Sequence, residues 1–180
     1  METLIGVLPQ DILLHGPTKL YVDKYHWHQP DHGIVASYTA KARDVQDHFG
    51  LFRGVDQIEA FAQATVGSCC PFLECRKHKF GPEELRNRFI PAFISVGRVL
   101  FHNYIAEGET FMSIGKIIFY KFRQMVCEGR IYKVPAALDL DSYFSEFTRE
   151  QMENYDLSKD FTLVAELWDI TGRAIKKEAF

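Results

Sequence analysis

No apolar run in these 180 residues approaches the ~18 needed to span a bilayer. The opening Met1-Glu2-Thr3-Leu4 lacks the basic and apolar regions of a secretory signal. Both absences lead to the expectation of a soluble, cytoplasmic chain with no membrane partner. Charge of one sign is also lacking: 21 Lys and Arg stand against 24 Asp and Glu, a net of −3, so no whole-chain basic field draws nucleic acid. Cysteine is scarce. Cys69, Cys70, Cys75 and Cys127 include no C-x-x-C pair, whereas a zinc site wants two such pairs or matching histidines. Free thiols serving as small buried hydrophobes are expected, and no metal. Internal repeats and low-complexity stretches are absent as well. What is plentiful is apolar mass: 47% of residues are hydrophobic and 14% aromatic, with 15 Phe against 2 Trp. That composition builds a core and excludes a disordered chain.

Composition shifts once. From Asp141 onward nine acidic residues face five basic ones, a net of −4, while the first 140 residues carry a net of +1. The expected organisation is therefore one domain over 1–140 with an acidic extension, 141–180, packed on it or extending it.

Leu8 to Leu14, broken by Pro9, reads as a short helix or turn. Leu20 to Tyr25 reads as a strand, Gln29-Pro30-Asp31-His32-Gly33 as a turn, and the alternation of Ile34 to Arg43 as a strand paired back on the first. Val55 to Gly67 is rich in Ala and apolar residues, free of Pro, and apolar almost all round, which predicts a buried helix. A polar break follows over Arg76 to Arg88. Phe93–Asn103, Thr110–Gln124 and Met125–Leu138 read as strands, the last turned at Glu128-Gly129-Arg130. Past it, a helix around Tyr143 to Tyr155, a strand over Phe161–Ile170 and a turn at Thr171-Gly172-Arg173 are expected. Two strands, one buried helix and a meander of long strands make an α+β pattern, met by an antiparallel sheet wrapped around a central helix.

Glu59 stands inside that apolar helix. A buried carboxylate costs several kcal/mol unless paired or protonated. Desolvation raises its pKa and suits it to general acid work, or else it bonds another buried polar group. Gly54, just before the helix, either exposes N-terminal N–H groups to a carbonyl or simply permits a tight turn. His48 is a candidate general base by residue type. Tyr25-His26-Trp27-His28 with His32 gathers histidines near a turn, but no carboxylate or cysteine cluster joins them as metal ligands. Arg76-Lys77-His78-Lys79, with Arg86 and Arg88, forms either a solvated loop or a basic docking patch.

His48-Phe49, a Gly-containing loop, and then Gly54-Val55-Asp56-Gln57-Ile58-Glu59-Ala60-Phe61-Ala62-Gln63 resemble the β-hydroxyacyl-acyl carrier protein dehydratases. That family's pattern is a His-Phe pair, a Pro/Gly-rich loop, a Gly-Val helix start and Glu-Ala-x-Ala-Gln within the helix. Val7-Leu8-Pro9-Gln10, Leu20-Tyr21-Val22-Asp23-Lys24 and Ile105-Ala106-Glu107-Gly108-Glu109 are similar to further family segments, so the resemblance spans roughly residues 7 to 138. It implies a hotdog fold whose protomers join into a homodimer or higher even oligomer. It also implies a lyase of fatty acid or polyketide-type biosynthesis that dehydrates a 3-hydroxyacyl thioester to the 2-enoyl thioester. The acyl chain would ride on the phosphopantetheine arm of an acyl carrier protein, or on CoA, with no cofactor resident in the enzyme. By the resemblance His48 removes the α-proton and Glu59 of the second protomer protonates the departing hydroxyl. The Gly54 N–H then holds the thioester carbonyl, Val55 lies at the substrate-binding helix start, and Gln63 bonds backbone deeper in the helix. The sequence departs from the pattern between His48 and Gly54, where only Phe49-Gly50-Leu51-Phe52-Arg53 intervenes, without proline, and where Asp47 replaces the usual glycine before the His. Two other readings stand beside this one: a hotdog thioesterase using Glu59 and Gly54 with water, and a non-catalytic hotdog subunit that binds acyl chains.

Overall fold

A computed structural model describes residues 2–177. Numbered along the chain, the strands are β1 (Lys24–Gln29), β2 (Gly33–Thr39), β3 (Leu51–Phe52), β4 (Phe89–Ser95), β5 (Arg98–Phe101), β6 (Ile105–Ala106), β7 (Thr110–Lys121), β8 (Gln124–Lys133) and β9 (Thr162–Lys176). The helices are α1 (Pro9–Ile12), α2 (Ala42–Val45), α3 (Gly54–Ala64), α4 (Val66–His78), α5 (Pro82–Arg88), α6 (Leu140–Phe144) and α7 (Arg149–Asn154). One antiparallel sheet runs in the order β1-β2-β7-β8-β9-β4, with β5 also pairing to β9. The expected first strand starts later, at Lys24, and continues to Gln29, where Pro30 to His32 turn it into β2.

The α3 helix crosses the inner face of the sheet at a pair of glycines. Gly115 of β7 and Gly129 of β8 are direct cross-strand partners. A Cβ on Gly129 would lie 2.8 Å from the Phe61 ring, and one on Gly115 would collide with Thr65. Their missing side chains let the helix settle close enough to bury Phe61, Ala60 and Ala64. This overturns the expected turn at Glu128-Gly129-Arg130. Gly129 serves close approach in mid-strand, and the reversal occurs at Phe122-Arg123, both left-handed at φ 54° and 62°. Gly172 repeats the pattern. The expected turn at Thr171-Gly172-Arg173 is continuous β9, and a Cβ there would lie 2.9 Å from Val66 at the start of α4.

The helical segment is also longer than the apolar pattern predicts. The backbone bends at Thr65 (φ −96°, ψ −92°), then α4 carries on to His78 with Pro71 inside it. Pro71 offers no N–H to the Gly67 carbonyl one turn back, and at the bend the Ser68 hydroxyl donates to the Gln63 carbonyl at 2.6 Å. The expected polar break at Arg76 is thus the last turn of α4, followed by α5. Burial is not all round: Val55 at the helix start is 64% exposed. The strand expected over Phe93–Asn103 begins at Phe89, breaks into β4 and β5, and pairs with β9 rather than β7.

Residues 134–161 cover the outer face of the sheet. Val35, Met112, Ile114 and Tyr132 pack there against Leu140, Phe144, Phe147, Met152 and Phe161. Asp141 anchors this cover to β1 through Lys24 and through His26, 2.7 Å away. Trp27 Nε1 donates to the Phe147 carbonyl at 2.7 Å. Among the described residues, no helix is long and apolar enough to cross a membrane.

Candidate active site

Where α3 bends into α4, the helix stands away from β4, α5 and the segment before β1, leaving a cavity of about 260 Å³. Its wall is mainly apolar: Ala62, Val66, Leu85, Phe89 and Phe93 line it, with Glu59, Gln63 and His15 as polar members and Arg173 at the rim. A concave apolar site with few convergent polar groups is the usual form of a small-ligand pocket.

Glu59 is not a lone buried acid. Its Oε1 lies 3.3 Å from His15 Nε2 and accepts a 2.9 Å hydrogen bond from Gln63 Nε2. The side chain is about one-third exposed, at 34%. The expectation that desolvation raises its pKa is overturned. The His15 ring 3.3 Å away lowers it, against the opposing effect of burial, and the hydrogen bond from Gln63 lowers it further. Glu59 therefore stays a carboxylate at neutral pH.

Gln63 fastens this arrangement to the backbone. Its amide donates to the Lys19 carbonyl at 2.7 Å and accepts from the Tyr21 amide at 2.8 Å, so the strap ahead of β1 hangs from the same side chain that holds Glu59. Cys70 also faces the cavity, but burial pushes its thiol up to about 12, so it is no thiolate nucleophile. All four cysteines are free and buried.

His48 is not among the residues lining this cavity. It sits in a tight loop in which Asp47, Phe49 and Gly50 are all left-handed, at φ 60°, 56° and 73°. For Phe49 that conformation is strained, and its ring is 95% exposed. The His48 ring lies with Nδ1 3.1 Å from the Leu51 carbonyl. This contact assigns the proton to Nδ1 and leaves Nε2 with a lone pair. β3, paired with β6, carries the chain from this loop to α3.

Gly54 is the first residue of α3, which starts with no side-chain cap on its amides. A Cβ there would lie 3.0 Å from the Phe101 ring, so the glycine admits that ring beside the helix start. Within one protomer, Glu59 and Gln63 are brought together, while His48, Gly54 and Val55 lie outside the cavity wall.

The histidines near the first turn find separate structural partners. His26 bridges Asp141 and Ser37, both at 2.7 Å, His28 Nδ1 accepts from the Leu4 amide at 3.1 Å, and His32 meets Arg149. No group of three or more potential metal ligands occurs among the described residues. In the basic segment His78 pairs with Glu74, Arg88 with Glu84, and Arg86 bonds the Gln10 carbonyl. Sequence reasoning missed His15 and Arg173. His15 sits in no local pattern and Arg173 in one that reads as a turn, and the cavity joins both to Glu59 only in three dimensions.

No family model matches the sequence, and no curated protein does. Solved structures do match. A chain of the dehydratase heterocomplex ApeI:P from Xenorhabdus doucetiae superposes with a TM-score of 0.66 at 11% identity, covering 96% of this chain and 93% of that one. The uncharacterized protein PH1136 from Pyrococcus horikoshii gives 0.50 at 11% identity, covering 93% of each. At such identities the likeness speaks for the fold. With an antiparallel sheet wrapped around a long central helix, this chain is a divergent hotdog-fold protein.

Proposed function

We propose that the protein transforms acyl thioesters, and that its reaction is the dehydration of a 3-hydroxyacyl group carried on an acyl carrier protein. The observation that carries this reading is Glu59 in the wall of an apolar cavity beside the central helix. The acyl chain lies along Ala62, Val66 and Phe93, with the thioester toward the start of α3. His48 takes the α-proton through Nε2, the electron pair left behind forms the 2-enoyl double bond, and Glu59 in its protonated form gives its proton to the 3-hydroxyl, which leaves as water. Because His48 is outside the cavity of its own protomer, the two residues meet only across a pair of chains. The outer edge of β4 and β5, with Phe93, Ile94, Val96 and Phe101 partly exposed, suits such pairing between copies. Arg173 and Lys177, by the cavity and its neighbouring groove, offer positive charge to a phosphopantetheine phosphate or an acidic carrier. The ApeI:P neighbour, a dehydratase heterocomplex, supports the same reading.

One observation favours a second reading, thioester hydrolysis. A carboxylate kept in its ionised form is available to accept a proton from water, whereas dehydration requires it to deliver one. One experiment separates the two. Carrier-bound 3-hydroxyacyl and 2-enoyl thioesters are incubated with wild type, His48→Ala and Glu59→Gln, and the products are read by mass spectrometry. Loss of water by the wild type, reduced about 10²–10⁴-fold in both variants, supports dehydration. Release of free acid that depends on Glu59 but not His48 supports hydrolysis. No change in any thioester refutes both.

A further inference from the structure

The His15–Glu59 contact is a feature that neither the helix motif nor the fold requires. Both contacts to the Glu59 carboxylate fall on Oε1, from His15 Nε2 and Gln63 Nε2, and Oε2 makes none among the described residues. His15 Nδ1 is buried and has no hydrogen-bond partner. Among the described residues the ring is therefore not anchored from its other side, and Glu59 is its one polar attachment. The strap that carries His15 is itself held at both ends. Arg86 bonds carbonyls of Gln10 and Leu13 before it, and Gln63 bonds the Lys19 carbonyl after it.

We propose that His15 is a positioning residue for Glu59: its Nε2, 3.3 Å from Oε1, holds that oxygen in place and leaves Oε2 as the oxygen free to serve a reacting acyl group. The inference rests on the acyl-thioester reading for its catalytic consequence, but not for the contact itself. His15 and Gln63 act from opposite directions, one from the strap and one from the next turn of the same helix. Gln63 donates to Oε1 and the His15 ring lies against the same oxygen, so the carboxylate is held from two elements rather than one. The contact also favours the ionised form. His15 is the largest influence keeping Glu59 ionised, while burial in the cavity wall works the other way. The other charged or titratable groups around it are Lys19 on the strap, Cys70 on α4 and Arg173 on β9. Lys19 adds to the ionised form, and Cys70 remains a neutral thiol. With His15 removed, burial gains and the proton form shifts toward the acid.

The test has an arm that needs no turnover. The Glu59 carboxyl is titrated by carbon-13 NMR in wild type, His15→Phe and His15→Gln, with Glu59→Gln identifying the resonance. His15→Phe fills the space without a donor, so the midpoint rises, while His15→Gln restores an N–H near the position of Nε2 and returns it toward wild type. An unmoved midpoint in a folded His15→Phe overturns the proposal, as does a rise that His15→Gln fails to reverse. The second arm is the pH profile of whichever reaction the protein catalyses. In His15→Phe the limb governed by Glu59 moves to higher pH. It is the alkaline limb if Glu59 gives a proton in dehydration, and the acidic limb if it activates water in hydrolysis. A moved midpoint without turnover on any thioester keeps the pair and refutes the functional reading. Turnover with an unmoved midpoint and profile keeps the functional reading and refutes the role of His15.

Discussion

Replacing Gly129 by alanine adds one methyl group at the point where helix and sheet touch. That Cβ falls 2.8 Å from Phe61 Cε2 and 3.0 Å from Gly115 Cα, and it also runs into the Ile114 carbonyl. Comfortable carbon contacts lie at about 3.5–4.0 Å, so the ring must retreat by roughly 1 Å. It has little room, because Phe61 is fully buried and the carbonyl belongs to the neighbouring strand, which cannot rotate it away. Overpacking of this kind costs about 1–3 kcal/mol, and two backbone neighbours put this case at the upper end. For a chain of this length about 3 kcal/mol lowers Tm by roughly 6–12 °C. Glu59 lies two residues before Phe61 on the same helix, so the displacement reaches the cavity. A misplacement of about 1 Å there can slow a reaction roughly 10²-fold. The assay is urea unfolding followed by circular dichroism, with Gly81→Ala as control because nothing lies within 4 Å of a Cβ at Gly81. A Gly129→Ala protein within about 0.5 kcal/mol of wild type would refute the argument that close helix approach requires this glycine.

Phe144→Ala empties a 2%-exposed position in the cluster over the outer face of the sheet, and a loss of about 3–5 kcal/mol in urea unfolding is expected. A loss below about 1 kcal/mol would mean that residues 134–161 do not pack as described. Burial depresses the pKa of His28 to about 4. The unfolded chain then takes up a proton that the folded one refuses, so stability is full above pH ~6.5 and declines as pH falls toward about 4. Unfolding curves at several pH values should show that slope, and His28→Gln should flatten it; an unchanged slope sinks the assignment. Glu59 has the opposite chemistry with the same sign: its depressed carboxyl contributes stability above pH ~4.3 that is lost as pH falls through the lower folded value. Glu59→Gln should therefore remove a small acid-limb component of stability while leaving the fold intact, as circular dichroism would report.

Much of the architecture was readable from local pattern. The Ala-rich run after Gly54 contains few residues able to form anything but a buried helix, and the alternation after Ile34 and Thr110 places strands β2 and β7. Glu59 and Gln63, four residues apart, fall on one helix face as the helical period requires, whereas His48 and Gly54 lie outside the cavity wall that those two share. What escaped the sequence depends on residues far apart in the chain. Glu128-Gly129-Arg130 and Thr171-Gly172-Arg173 carry the local chemistry of turns, yet both glycines serve a helix more than 60 residues earlier that must come close. β9 enters the sheet between β8 and β4, a pairing no local signal encodes. The ionisation of Glu59 was reversed for the same reason. Burial alone raises a carboxyl pKa, and only the tertiary structure brings His15, 44 positions away, within 3.3 Å of it. The sequence by itself determined the central helix after Gly54, strands such as β2 and β7, and where a carboxylate enters that helix. Tertiary structure decided what surrounds that carboxylate, because hydrogen bonds and desolvation depend on neighbours in space.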